Sequence, residues 1–518
     1  MISDLERSDI PAGNTFDVCV VGSGAAGLTI SHQLFRRGHR VLLLEGGGAS
    51  RWERKSQALN KSDLHGQTFA GAHSGRFRTL GGTTSVWAGQ VMELDDIDFE
   101  HRDWVEGSSW PIGKSELRKY YAQATELEGA EGLVQDDAEV WERTGTPQPD
   151  LGEELHISFS RYCPEKKFAR VFADTINDER LTVMLHANAV EMIPAQNNQQ
   201  IASLRLRTLD GKETFCKAKN FVLCLGGIES SRFLLNQQFS PWNASNLVGR
   251  YFQDHIQCFA ADVRHADMHL PNWAYGPYRL AGNYLPKIRL SAAAQQKYQV
   301  LNVSGMVEPS DGIYETLRTG IKVVAGPSST IGLGEFLRMT PRVPAVIWHH
   351  FKIKKDPNYI VPWAKPKLSV YCEQSPVSES RIVLSSKRDK LGLFKADITW
   401  CVSELEIETV RKYVAVAQEA FKAFGIGEIV PDPDLHNDGI YRKCTDQFHH
   451  CGGTRMAART QDGVVDLDLR LNGVGNVYVC SSSVFPCSGF ANPTHTIIAL
   501  AARLAEHLDR KLAEGATS

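Results

Sequence analysis

The sequence predicts an α/β fold, α+β overall, in which a parallel sheet flanked by helices is joined to a second, sheet-based part. Three stretches carry that expectation. Residues 16–48 read as strand, glycine turn, helix and strand. Residues 221–235, FVLCLGGIESSRFLL, repeat the strand–glycine–helix pattern. Residues 477–508 add a strand, a turn rich in Pro and Gly, and a helix with one apolar face.

In the first stretch, Phe16–Val21 is a short apolar run with β-branched residues. It ends at Gly22-Ser23-Gly24-Ala25-Ala26-Gly27, a complete G-x-G-x-x-G. Leu28, Ile30, Leu34 and Phe35 share a helical face, Gly38 ends the helix, and Val41–Leu44 closes on Glu45. Gly22 makes the tight turn, Gly24 leaves room for a pyrophosphate, and Gly27 lets the helix approach the sheet. The helix N-terminus offers N–H groups and partial positive charge to phosphates. Glu45 is placed to accept hydrogen bonds from a ribose diol. The residues therefore predict dinucleotide binding, without choosing between FAD and NAD.

The chain of 518 residues exceeds one ordinary core, so two domains or one domain with large insertions are expected. A formal net charge of −3 gives no nucleic-acid-binding surface. The polar N-terminal stretch has no secretory h-region, and no apolar run is long enough to span a bilayer. The 11 cysteines are odd in number, scattered, and without CxxC or zinc spacing. Cys19, Cys224 and Cys480 sit in apolar strands as small buried hydrophobes. A reducing cytoplasm fits that usage.

Residues 52–78 read as a polar, loop-rich excursion. Leu80-Gly81-Gly82-Thr83-Thr84-Ser85-Val86-Trp87-Ala88-Gly89 follows, with glycines that admit a flat ligand and hydroxyls that can bond to it. A surface helix is expected after Pro111. Strands are expected near 183–185 and 189–193, and a hairpin pairs 201–209 with 213–218 across Asp210-Gly211. Residues 258–370 give little pattern beyond strands at 299–307 and 368–372. The aromatic and basic run 347–355 reads as a solvated face. Residues 381–385 suit a further strand. Residues 405–424 form an amphipathic helix, with Val410, Tyr413, Val414, Ala417 and Phe421 in step.

Two C-terminal segments hold the candidate chemistry. His449-His450-Cys451-Gly452 supplies imidazoles beside glycines, and Asn492-Pro493-Thr494 opens the last helix, with Asn492 suited to an N-cap. No metal site, G-x-S-x-G elbow or Walker A sequence is present. An oxidoreductase needs a base near the reactive ring of its cofactor, and histidine titrates in the right range. On residue physics alone, a structural histidine and a plain N-cap are the favoured readings of His449 and Asn492.

Taken in order, these blocks resemble the glucose–methanol–choline (GMC) superfamily of FAD-dependent oxidoreductases. The segments that carry the likeness are the N-terminal glycine motif with Glu45, LGGTTSVWAG, FVLCLGGIESSRFLL, LVGRYFQDH, EQSPVSESRIVLSSKRDKLG, and HHCGGTRM through to ANPTHTIIALAARLAEHL. Gaps fall at about 127–220 and 262–370. The resemblance implies a Rossmann-like FAD-binding domain from 14–100, 205–260 and 445–518. It gives 101–204 and 261–444 to a sheet-based substrate-binding domain and covering segments. It implies FAD and not NAD, and oxidation of an alcohol to a carbonyl.

By the same resemblance His449, three residues before Gly452, is the base, and Asn492 hydrogen-bonds the substrate oxygen. His450 and His495 are neighbours that a slip in alignment would confuse with them. Cofactor contacts are expected at Gly22, Ser23, Gly24, Ala26, Gly27, Glu45, Gly46, Gly81, Gly82, Thr83, Ser85, Val86, Trp87, Gly226, Ser483, Asn492, Pro493 and Thr494. The Gly-Gly segment and the Ala-Asn-Pro ending look most like the sugar-oxidising members, such as pyranose 2-oxidase. Some of those attach FAD through a histidine just before the tryptophan; here that position is Val86, which implies non-covalent FAD. Ser481 stands where the family often has an acid.

The substrate expected by analogy is a ring hydroxyl of a sugar or glycoside, free or glycan-linked. The residues do not specify the electron acceptor, oxygen or another. A sterol or other apolar alcohol is the first competing substrate, with tryptophans and the apolar 320–350 region lining a greasy pocket. A carbohydrate pocket should instead present polar groups and one aromatic platform. A non-catalytic flavoprotein is the second competing reading, opposed by the joint presence of His449 and Asn492.

Overall fold

The computed structural model describes residues 2–11, 15–145, 147–264, 278–280, 282–309 and 366–517, together with 344, 348, 351 and 352. Most of the 320–350 region and most of 347–355 therefore lie outside the described residues.

The first sheet is parallel throughout, in the order Ile2–Asp4, Thr182–Leu185, Val41–Leu44, Phe16–Val21, Ala218–Leu223 and Val477–Val479. A parallel sheet covered on both faces needs near-continuous apolar strands. Val18 to Val21, Val41 to Leu44 and Phe221 to Leu223 meet that need and are buried. Helix Ala25–Arg36 and the long helix Thr494–Thr517 pack on this core through Leu28, Ile30, Leu34, Ile498, Leu504 and Leu508. Ile2–Asp4 and Thr182–Leu185 come from outside 14–100, 205–260 and 445–518. Helix Lys114–Leu127 buries Leu117, Tyr120, Tyr121 and Ala124, so it is more than a surface cover. Tyr121 Oη lies 3.0 Å from Thr496 Oγ1 on the last helix. The expected hairpin forms as Ile201–Arg207 with Glu213–Cys216, extended by Asn188–Pro194.

Among the described residues the second sheet has nine strands. Its main path runs Glu428–Pro431, Ile256–Arg264, Pro366–Cys372, Val303–Pro309, Asn283–Leu290, Leu155–Tyr162 and Gln90–Val91, all antiparallel. Side chains alternate between the two faces of each strand. Register places Arg289, Ser304, Tyr371 and Gln257 in one row across four strands. Lys287, Met306 and Glu308 share that face by alternation. Ile288, Gly305, Val370 and Cys258 form a row on the opposite face, which joins the apolar core.

Helix Glu404–Ala423 covers the apolar face. Ser403 and Glu406 cap its start reciprocally, which sets the boundary one residue before the expected one. Tyr413 Oη donates to the Ile288 carbonyl at 2.9 Å. A Cβ at Gly305 would stand 2.3 Å from that hydroxyl, so glycine is required where the helix presses on the sheet. The polar face of the sheet is left to look toward the glycine turn of the first.

Candidate active site

A cavity of about 770 Å³ runs from the glycine turn to His449, with walls drawn from both sheets. At its first end the turn is built as the spacing predicts. Gly22 has φ +101°, and a Cβ at Gly27 would sit 1.8 Å from the Gly22 carbonyl oxygen. Gly27 is thus a packing residue, turned away from the cavity. A Cβ at Gly24 would meet nothing within 4 Å, and the same holds at Gly226. Both line open space.

Helix Ala25–Arg36 has no side-chain cap, so its first N–H groups are left for a ligand. The Glu45 carboxylate accepts from Ser23 N at 3.1 Å, Ser23 Oγ at 2.6 Å and Gly47 N at 2.8 Å. Burial raises its pKa, while these hydrogen bonds pull the other way. Asn188 Oδ1, on a cavity-lining residue, is buried with no donor among the described residues. Bare backbone, an uncapped helix start and a buried carboxylate are what a dinucleotide requires, and this end of the cavity fits FAD.

Of the expected cofactor residues, Gly22, Ser23, Gly24, Ala26, Glu45, Gly46, Gly82, Thr83, Val86, Trp87, Gly226, Asn492, Pro493 and Thr494 line the cavity. Gly27, Gly81, Ser85 and Ser483 do not. Gly81 N donates to Ser23 Oγ at 3.2 Å and so braces the turn from behind. The Ser85 carbonyl accepts from Arg51 at 2.7 Å. Ser483 Oγ lies inward, 2.6 Å from Thr454 Oγ1 and 2.7 Å from Ser481 Oγ. Ser481 and Ser482 take the place on the cavity wall that was expected of Ser483.

At the other end, Asn492 Nδ2 donates to His449 Nε2 at 3.0 Å. The amide does not serve as a plain N-cap; the helix starts at Thr494 and the side chain goes to His449. His449 Nδ1 lies 2.8 Å from His255 Nδ1, and His255 Nε2 lies 2.7 Å from the Gly489 carbonyl oxygen. The tautomers follow from both ends of this chain. A carbonyl only accepts, so His255 carries its proton on Nε2 and accepts at Nδ1. His449 then donates from Nδ1 and keeps its lone pair on Nε2. The amide nitrogen of Asn492 only donates, which demands the same arrangement.

The backbone fixes this imidazole. His449 N–H donates to both oxygens of buried Asp254, at 3.0 and 3.1 Å, and Gln447 N and His255 N donate to the same carboxylate. Phe448, with φ +65°, sits in the left-handed region that costs a non-glycine residue about 1–2 kcal/mol. Burial first, then the charges of His255, Lys287 and His450, hold the His449 pKa well below the ordinary histidine value. Burial lowers His255 to about 4 and His450 to about 3. All three imidazoles are neutral near pH 7.

The structure separates the neighbouring histidines. His450 also lines the cavity, but its Nε2 has no hydrogen-bond partner among the described residues, and its ring meets Phe69 edge-on at 5.4 Å. His495 lies off the cavity, bonded to Glu128 at 2.7 Å and stacked on Tyr121. The sequence did not single out His255. Its one signal was its place at the end of the LVGRYFQDH block. The rest of this end is walled by Lys287, Met306, Tyr371, Gln447 and Phe490. Elsewhere Asp4, Glu6 and His186 bring ligand atoms within 4.8 Å of one another, but His186 is already held by Asp4 and Glu53.

A family profile described as GMC oxidoreductase matches residues 376–501, and one described as FAD dependent oxidoreductase matches residues 17–245. Residues 376–501 are thus those of a GMC oxidoreductase, and residues 17–245 those of an FAD-dependent oxidoreductase. It is similar to the fructose dehydrogenase large subunit of Gluconobacter japonicus, 22% identical over 96% of this chain and 98% of that one. It is also similar to 2-methyl-1,2-propanediol dehydrogenase of Mycolicibacterium austroafricanum, 22% identical over 96% of each. Among solved structures, pyridoxine 4-oxidase from Mesorbium loti shares the fold, with TM-score 0.58, 16% identity, and 95% and 99% of the two chains covered. The chain is accordingly an FAD-dependent enzyme that oxidises an alcohol. No helix among its described residues is long and apolar enough to cross a membrane.

Proposed function

We propose that this GMC oxidoreductase oxidises a ring hydroxyl of a sugar or glycoside, with His449 as the base, Asn492 as the oxygen-binding amide, and FAD held non-covalently. The observation that carries the reading is the convergence of Asn492 Nδ2 and the His449 Nε2 lone pair on one point of the cavity wall. A hydroxyl at that point gives its proton to Nε2 while its oxygen accepts from Nδ2. Carbon releases hydride more readily as its oxygen loses the proton. Bound FAD supplies the two-electron acceptor for that hydride.

His449 enters this step neutral and with its proton on the nitrogen that His255 and Gly489 hold, so the substrate hydroxyl replaces the Asn492 amide as the donor to Nε2. Asn492 stabilises the charge that develops on oxygen, and Asp254 keeps the base from swinging away. The polar face of the nine-stranded sheet supports a polyhydroxylated substrate over a sterol. With its neighbouring loops it offers Lys287, Tyr371 and Gln447, and Phe490 among the aromatic rings of the wall. Val86 supports non-covalent FAD, since it lines the cavity beside Trp87 and has no nucleophile.

In this reading 14–100, 205–260 and 445–518 form the FAD-binding part. All 11 cysteines are free, and Cys19 and Cys216 stay as thiols with sulfurs 3.8 Å apart, which supports a reducing, cytoplasmic setting. Anaerobic mixing of the FAD-loaded protein with fructose, a methyl glycoside and a sterol tests the substrate class. Loss of the yellow flavin absorbance with a sugar is the expected result. Loss with the sterol alone would overturn the sugar assignment.

A further inference from the structure

Among the described residues the nine-stranded sheet buries two cations on its cavity-side face, Lys287 and Arg289, and treats them differently. Arg289 is ion-paired to Asp95 and stacked over the Phe490 ring, 3.7 Å from its centroid. Lys287 is 4% exposed and lines the cavity, yet no described carboxylate pairs with it. Its ammonium is 6.0 Å from the Phe490 ring centroid. The acidic residues that share this wall are already engaged, Asp95 by Arg289 and Glu308 by Tyr371 Oη. A buried ammonium without a counter-charge is costly, and it persists where a ligand supplies the missing charge.

We propose that Lys287 binds a carboxylate on the substrate, so that the alcohol oxidised here belongs to a sugar acid or a related hydroxy acid. This rests on the cavity being the site of alcohol oxidation. A carboxylate suits the wall better than a phosphate. The wall offers one compact ammonium, its arginine is committed to Asp95, and the uncapped helix start that phosphates favour lies at the opposite end of the cavity. The position is also chemically useful. Lys287 stands close enough to His449 to oppose its protonation. A substrate carboxylate beside Lys287 offsets that charge, so the base gains proton affinity only when an anionic substrate is in place.

The test is titration of the FAD-loaded enzyme with D-gluconate and D-glucuronate against D-glucose and methyl glucoside, read from the perturbed spectrum of oxidised flavin. The acids should bind at least about tenfold more tightly than the neutral sugars, the effect of one hydrogen bond to a charged group. Lys287→Met should bring that ratio to about one by weakening the acids, and Lys287→Arg should keep most of it. Equal binding of acids and neutral sugars by the native protein would overturn the proposal. So would a Lys287→Met variant that weakens both kinds by the same factor, or an absence of any acid-induced change. Binding to oxidised flavin needs no turnover. An enzyme that binds acids but is not reduced by any alcohol would therefore refute the oxidation reading and leave only the carboxylate contact of Lys287 standing.

Discussion

The role we propose for His449 rests on its hydrogen-bond partners. Left to itself a neutral imidazole divides its proton between two nitrogens; the carbonyl of Gly489, acting through His255, leaves the Nε2 lone pair as the reactive one. His255→Asn should slow flavin reduction about tenfold to hundredfold with little change in KM, the scale of losing an outer partner of a reacting group. The split between kcat and KM checks it, because a merely structural loss would lower active-enzyme content and leave both constants alone. The pH profile follows from His449 itself. Its pKa is depressed, so the base is unprotonated at neutral pH and is lost only as pH falls through that depressed value. The acid limb of kcat/KM should lie below the ordinary histidine value of about 6.5. At this scale the sequence was informative only through family likeness. A lone histidine carries no mark of its role, and the partner that fixes the tautomer is 194 residues away. Ser483 illustrates the same limit, since adjacent serines differ in direction, not in type.

At the scale of elements, legibility followed the uniformity of burial. The central parallel strands are apolar on both faces and the helix Glu404–Ala423 has one continuous stripe, so both could be read, whereas the short, partly exposed edge strand Ile2–Asp4 could not. The nine-stranded sheet resisted reading because its cavity face carries Lys287, Arg289 and Gln257, and charge there interrupts the pattern that marks a core strand. Its pairings also join strands far apart in the chain. The strand–turn–helix unit makes the sharpest prediction. Gly27→Ala would drive a Cβ against the Gly22 carbonyl and lift the helix start from the turn. FAD affinity should fall about tenfold or more if, as we propose, that helix end holds the phosphates. Release of fluorescent flavin on dilution measures it.

Across the whole molecule, the two cores are tied by buried polar groups beneath the active-site turn. Arg102 makes a two-pronged pair with Glu373, at 2.7 and 2.6 Å. Asn302 donates to Glu373, Asp98 and Asp95, and Cys487 Sγ donates to the Asp98 carbonyl next to the Gly489 turn. Removing one member strands a buried charge. Arg102→Met should cost about 3–5 kcal/mol, and the double change Arg102→Met with Glu373→Leu should recover much of it. Urea unfolding of the three proteins decides the matter. None of this was visible in sequence order, where Arg102 and Glu373 are 271 residues apart and look like ordinary surface charges.

The central claim is that His449 takes the substrate proton. Its most direct test is rapid anaerobic mixing of native enzyme and His449→Gln, both FAD-loaded, with whichever sugar or sugar acid reduces the native flavin. Reduction should slow by about a hundredfold to ten-thousandfold while FAD content is unchanged, the usual worth of a general base. Reduction of the variant within about twofold of the native rate would contradict the assignment, since removal of a general base costs far more.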